Sequence, residues 1–344
     1  MQYRTLGKTG LQVSELGFGS LFTSTLGPGF ADSHQAVHKA LDLGINFFDT
    51  APAYADSEEV LGKILADVKA PLILCTKLGG RPQPFDARNP KQLKESFEKS
   101  LRQLHRDVID VLFIHEPDRP LQYDWWSDPE SVHGPVIDFL DELKKAGTIR
   151  FTGLGGTTCA EMAHGIRSNR FDVVLTAFNY SALFREAVHE VLPAARERRM
   201  GIVLGSILQQ GALGRRYDDV VRQKPAWLSQ ARQQQLLAFY RFLDELGMSI
   251  VELCLRFAIS NRDAGAVLIG PKTARQVADS VAAVAKGPLP AEVSEKLDQI
   301  AALVPYRPFE EPMILPLGKP KEYWGPGLAN LGAGVKVGKL PAHA

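Results

Sequence analysis

The sequence is poor in the residues that would tie it to an oxidising compartment, to nucleic acid or to a membrane. Three cysteines occur in 344 residues, Cys75, Cys159 and Cys254, odd in number and far apart. That leaves no disulfide framework and no C-x-x-C spacing, so a reduced, cytoplasmic protein is expected. Neither sign of charge is in excess, with 40 Lys and Arg against 39 Asp and Glu. A chain so balanced carries no electrostatic footprint for nucleic acid or an anionic lipid surface, and neither partner is expected. No apolar run approaches the roughly 18 residues that cross a bilayer, and the opening Met1-Gln2-Tyr3-Arg4-Thr5 has no signal-like apolar segment. Repeats and low-complexity stretches are missing too, apart from Gln233-Gln234-Gln235.

What is present is a core and an alternation. An apolar content of 45% can fill a large interior. Length alone suggests two domains at about 150 residues each, but a (β/α)8 barrel takes about 250 residues as one domain. The first residues, broken by Gly7-Lys8-Thr9-Gly10, read as a hairpin over 1–12, followed by a strand over 13–18. Helix and strand then alternate: helices over 32–43, 57–68, 90–105, 132–145, 159–169, 186–199, 250–260 and 274–285, with strands over 46–49, 72–77, 108–115, 149–155, 173–179, 201–206 and 266–269. Ser57, with Glu58 and Glu59 behind it, reads as a capped helix start. The strands are short continuous apolar runs, as in parallel strands covered on both faces. Eight units argue for a closed barrel, because the first strand ends Gly17-Phe18-Gly19-Ser20-Leu21-Phe22, without the third glycine of a dinucleotide fingerprint. An inserted helix over 228–246, an extra helix over 290–303 and a Gly/Pro-rich tail from Pro308 account for the surplus length. The whole chain, 1–344, is therefore expected to be one domain, with 13–305 as barrel and extra helix and 306–344 as a tail strapped towards the barrel mouth.

Barrels place their chemistry at the C-terminal ends of strands. Asp49 ends the second strand with Tyr54 in its loop, Lys77 ends the third, and His115 ends the fourth. Singly, these read as a loop carboxylate, a solvated rim charge and a hydrogen-bonded core histidine; jointly they form an acid/base device. An ammonium beside a phenol favours the phenolate, a carboxylate holds that ammonium charged, and an imidazole can polarise a carbonyl oxygen or relay a proton. Such a set suits hydride chemistry, in which a nicotinamide carries the hydride and the protein the proton. No His-x-His stands at the first strand end, so no metal is expected. No second carboxylate pairs with Glu116 as a glycosidase would need.

Asp49-Thr50-Ala51-Pro52-Ala53-Tyr54 with Ser57-Glu58 and Leu61-Gly62 resembles the aldo-keto reductase signature, and the resemblance covers about residues 1 to 305. Asp107-Val108-Ile109-Asp110-Val111-Leu112 before Ile114-His115, and Gly147-Thr148-Ile149-Arg150, match further segments of that family. The resemblance implies a barrel with its bottom plugged by the hairpin, and a catalytic tetrad of Asp49, Tyr54, Lys77 and His115. It also implies a dinucleotide path from Gly19 and Phe178 past Ser206, Leu208, Gly211 and Leu213. The path would end at Gly270, Lys272, Thr273, Gln276 and Ser280, where a helix start suits a phosphate. Lys272 favours NADP over NAD, unless it is merely an exposed charge.

This chain departs from the family pattern at three points. Gly155-Gly156-Thr157-Thr158 replaces a Ser-Asn pair that holds the nicotinamide carboxamide, Leu175 replaces a Gln, and Phe178 replaces a stacking Tyr. Stacking needs only a ring face and survives. These replacements are similar to the branch of L-galactose and aldose dehydrogenases, which oxidise sugar hemiacetals with NAD. The substrate, a small carbonyl compound or sugar, would meet Tyr54, His115, Phe22, Trp125 and Trp126, with Tyr323 and Trp324 from the tail; the tryptophans could equally tether the long loop. The other reading is a cofactor-binding regulatory subunit with little turnover, as the potassium-channel β subunits of the family suggest. Monomer and homo-oligomer both remain open.

Overall fold

The computed structural model describes residues 1–120, 122–308 and 311–318. Strands β1 (Tyr3–Thr5) and β2 (Gln12–Ser14) form an antiparallel hairpin. Eight further strands, β3 (Leu16–Gly19), β4 (Phe47–Asp49), β5 (Ile73–Leu78), β6 (Ile109–His115), β7 (Ile149–Gly156), β8 (Val173–Ala177), β9 (Gly201–Gly205) and β10 (Ala264–Ile269), pair in parallel and close into a barrel. The connecting helices are α1 (Phe30–Asp42), α2 (Ser57–Leu65), α3 (Pro90–Leu104), α4 (Pro135–Ala146), α5 (Cys159–Arg167) and α6 (Val191–Glu197), then α7 (Asp218–Gln223), α8 (Gln230–Leu246), α9 (Ile250–Ser260), α10 (Ala274–Ala285) and α11 (Ala291–Ala301). This is the expected (β/α)8 barrel with hairpin and extra helix.

Period two along each strand decides what the barrel encloses. Phe47, Ile73, Cys75, Val111, Phe113, Val173, Leu175, Val203, Ala266 and Leu268 form the inner cluster. Neighbouring positions such as Phe48, Leu74, Leu112 and Val174 join the larger cluster under the helices. Bulky inner rings are matched by glycine next door: a Cβ on Gly153 would lie 2.4 Å from the Phe113 ring, and one on Gly17 2.8 Å from Phe47. The hairpin contributes Leu6, Leu11 and Val13 to the same inner cluster and so plugs the bottom. Arg4 fixes it there, donating to the carbonyls of Ile259, Asn261 and Ala264 and pairing with Glu15.

Several expected boundaries move, each for a local reason. Val13 belongs to the hairpin, and the barrel strand starts at Leu16, because Asn46 accepts from the Ser14 amide and turns the chain there. The helix expected over 186–199 breaks into a 3-10 turn, Glu186–Val188, and α6, because Pro193 fits only the first turn of a helix. The helix expected from 132 starts instead at Pro135, since Gly134 packs so close that a Cβ would lie 2.4 Å from the Trp125 carbonyl oxygen. Ser57 is inside α2 and does not cap it: its hydroxyl donates to the Ser20 carbonyl and accepts from Thr50. The short α7 ahead of α8 was not expected. Of the tail, residues 306–308 and 311–318 are described, and Tyr323 and Trp324 lie outside the described residues.

Candidate active site

The inward alternation that buries Phe47, Cys75 and Phe113 places Asp49, Lys77 and His115 one step further along the same strands, at the barrel mouth. Lys77 Nζ donates to both Asp49 oxygens and to the Thr50 carbonyl, each at 2.7 Å, and both side chains are 2% exposed. That ammonium also hydrogen-bonds the Tyr54 hydroxyl. The same nitrogen lies 5.0 Å from the centre of the partly exposed Tyr54 ring, and the His115 ring stands edge-on to that ring at 5.7 Å. All four residues of the expected tetrad are thus brought together.

Burial governs how these groups hold their protons. It is the largest single influence on Lys77 and opposes its charge, but the Asp49 carboxylate and the Tyr54 hydroxyl together outweigh it and raise the lysine above its ordinary range. Asp49 is pushed up by the same burial while Lys77 pulls it down, and the two-oxygen contact marks an ionised pair. The Tyr54 phenol ends above its usual value: burial raises it, Lys77 lowers it, and the carboxylates of Asp49 and Glu116 raise it again. The expected influence of Lys77 is present, but it does not prevail, and Tyr54 keeps its proton at neutral pH. His115 lies well below the ordinary histidine range through burial, Lys77 and Arg119. A neutral imidazole offers one donor and one acceptor, so orienting an oxygen suits it better than relaying a proton through an imidazolium. Its Nδ1 has no partner among the described residues.

Supporting contacts behind the tetrad escaped sequence reading. Glu58, buried in α2, accepts from Thr76 Oγ1 at 2.5 Å and pairs with Arg81, which also donates to Ser100. This clamps the end of β5 next to Lys77. After β7, the Asp118 carboxylate accepts from both the Thr157 and Thr158 amides, at 2.9 and 2.6 Å. Arg119 donates to the Thr157 hydroxyl, and Asn179 to the Thr157 carbonyl. The groups that replace the expected Ser-Asn pair are therefore already engaged by the protein. Leu175 sits in the inner cluster.

The expected substrate aromatics divide. Trp125 is fully buried against Phe85 and Tyr123, and its ring reaches to 3.3 Å from where Gly79 would carry a Cβ, with the His115 Cβ also at 3.5 Å. It packs beneath the loop after β5, as a tether for the long loop after β6. Trp126 instead lines an outer depression of about 370 Å3 with Pro117, Pro129 and His164, away from the tetrad. Phe22 lies under the Lys272 ammonium, 4.4 Å from ring centre to Nζ, and so belongs with the start of α10.

Along the expected dinucleotide path, Gly19 ends β3 tightly enough that a Cβ would meet the Ile269 carbonyl oxygen at 3.1 Å. Ser206 leaves β9 in the left-handed region, φ 54°, and Gly211 has φ 96°, so this loop turns sharply below the mouth. Leu208 precedes a single 3-10 turn, its carbonyl accepts from the Gly211 and Leu213 amides, and the Leu213 side chain is buried. Gly270 abuts Phe22. Thr273 caps α10 by accepting from the Gln276 amide, Gln276 accepts from the Lys272 amide, and Ser280 donates back to Gln276. Lys272 and the exposed Arg275 bring two cations to a helix N-terminus, a donor set that fits a phosphate dianion. Phe178, φ 68°, is 5% exposed and packs against Met313 and Ile314 of the tail.

Comparison with known proteins accords with this arrangement. The model of the Aldo/keto reductase family matches residues 15–302. L-galactose dehydrogenase from Arabidopsis thaliana is 29% identical over 316 residues, covering 88% of this chain and 94% of that protein. A probable voltage-gated potassium channel subunit beta from the same plant is 25% identical, covering 90% and 99%. Among solved structures, the holo form of aldo-keto reductase AKR11C1 from Bacillus halodurans superposes with a TM-score of 0.72 at 26% identity, covering 90% of this chain and 99% of that one.

Proposed function

The chain belongs to the aldo/keto reductase family, and on that premise we propose that Tyr54 moves the proton in a nicotinamide-dependent interconversion of a carbonyl and an alcohol. It is an oxidoreductase acting on small carbonyl or sugar substrates. The observation that carries the assignment is the buried Lys77–Asp49 pair beneath a protonated Tyr54, with a neutral His115 edge-on to it.

In the reducing direction the bound nicotinamide supplies a hydride to the carbonyl carbon. Tyr54 gives its proton to the carbonyl oxygen, and Lys77, kept charged by Asp49, stabilises the phenolate left behind. His115 fixes the carbonyl oxygen through its neutral N–H. Run in reverse on a sugar hemiacetal, Tyr54 as phenolate would take the hydroxyl proton while the hydride on the ring carbon would pass to the oxidised nicotinamide, giving a lactone and the reduced cofactor. The likeness to L-galactose dehydrogenase supports a sugar among the substrates. Lys272 and Arg275 at the start of α10 support NADP over NAD, with the 2′-phosphate between them.

Turnover of aldehydes with NADPH, run beside aldoses with NAD⁺ or NADP⁺, tests the reading. Tyr54→Phe is expected to lower kcat by at least about 100-fold while leaving cofactor affinity within twofold, since general acid catalysis contributes about 10²–10⁴. Retained turnover overturns the role. A second reading, a cofactor-binding regulatory subunit, draws on the likeness to the channel β subunit. Tight cofactor binding with no turnover across the panel would favour it.

A further inference from the structure

We infer that the tail segment over residues 312–317 occupies the ring of Phe178, that Arg232 and Glu311 latch it there, and that a nicotinamide ring must displace it to stack. The inference rests on the cofactor reading above. Stacking needs an open ring face with about 3.5 Å of clearance. Phe178 has none to offer: it is 5% exposed and in contact with Met313 and Ile314, and Ile314 itself is 2% exposed. Leu315 and Leu317 beyond it are buried in the larger cluster under the helices, so the segment is pinned beyond its contact with Phe178.

The latch has unusual depth for a tail. Arg232 on α8 is fully buried and meets both Glu311 oxygens, at 2.8 and 3.0 Å. Its third nitrogen reaches Gln235, whose amide in turn holds the Ile300 and Ala301 carbonyls at the end of α11. Arg307 lies 3.9 Å from Glu311 and donates to the Pro312 and Met313 carbonyls. Both guanidiniums lie over the Phe184 ring, 4.2 and 4.3 Å from its centre. Across the mouth, Arg119 donates to Met313 Sδ at 3.1 Å. The helix inserted between β9 and α9 thus serves as the anchor for the strap. Arg232 and Glu311 are positioning residues that touch neither substrate nor cofactor.

Apparent affinity falls by the fraction of molecules whose strap is open, so loosening the strap should tighten binding. Ile314→Ala and Glu311→Gln are each expected to lower the NADPH Kd by about tenfold, read by fluorescence titration. In the unaltered protein, hydrogen exchange at residues 313–317 is expected to accelerate on adding NADPH, because binding expels the segment. Slower exchange on binding, or weaker binding by Ile314→Ala, would overturn the inference and make the strap part of the filled site, leaving the oxidoreductase reading intact. No binding of NADPH or NADH by the unaltered protein or either variant would instead remove the cofactor reading, and this inference with it.

Discussion

His115 links the site to acid stability in a way that can be worked through. In the fold, burial, the Lys77 ammonium and the Arg119 guanidinium keep its imidazole unprotonated well below the ordinary 6.5. In the unfolded chain it takes up a proton near 6.5. Below that pH the unfolded state binds more protons than the folded one, so unfolding free energy falls as pH falls, by about 1.4 kcal/mol per unit. The contribution is fully present above about pH 7 and, between pH 8 and pH 5, about 2 kcal/mol of it is lost. Urea unfolding of the wild type and of His115→Asn at both pH values isolates this term, since the other seven of the eight histidines are common to both chains. The variant is expected to lose about 2 kcal/mol less than the wild type over that interval. Parallel losses would mean that His115 is protonated in the fold, and the neutral-donor role would fall with it.

Two further outcomes follow from geometry already described. Lys272→Ala is expected to weaken NADPH binding by about tenfold, or about 1.4 kcal/mol, with NADH binding unchanged; equal effects on both would take the 2′-phosphate away from α10. Gly153→Ala, whose Cβ would enter the Phe113 ring, is expected to cost about 1–3 kcal/mol in thermal unfolding, with part restored by Phe113→Leu in the same chain. A cost unaffected by Phe113→Leu would show that the contact is not the cause.

The tetrad could be read in the sequence because each member follows from a local rule. Period two carries Phe47 to Asp49, Cys75 to Lys77 and Phe113 to His115, and parallel strands covered by helices announce their ends by losing apolar residues. The helix expected over 274–285 has the same bounds as α10, with Thr273 capping it. Where the expectation slipped, a contact remote in sequence had intervened. Ser57 looks like a cap by its neighbours, yet its hydroxyl is taken by Ser20, 37 residues away. Arg119 reaches Met313 over 194 residues, and Arg232 reaches Glu311 over 79. Nothing in the Gln-rich stretch around Arg232 marks it for complete burial.

Tyr54 shows why residues that the fold does bring together are still not electrostatically legible from sequence. Counting neighbours gives one ammonium beside the phenol and predicts a lowered pKa, because sequence identifies charges but not the solvent removed from around them. The fold adds two carboxylates, Asp49 and Glu116, and takes water from the hydroxyl, and the sum is a raised value. The difference matters chemically. A phenolate at neutral pH could accept a proton but not give one, whereas on the proposed role the phenol would donate and Lys77 would stabilise the product of that donation. On the proposed donor role, the Lys77–Asp49 pair would act after the proton has left Tyr54, lowering the barrier on the path to the phenolate without populating it in the resting state.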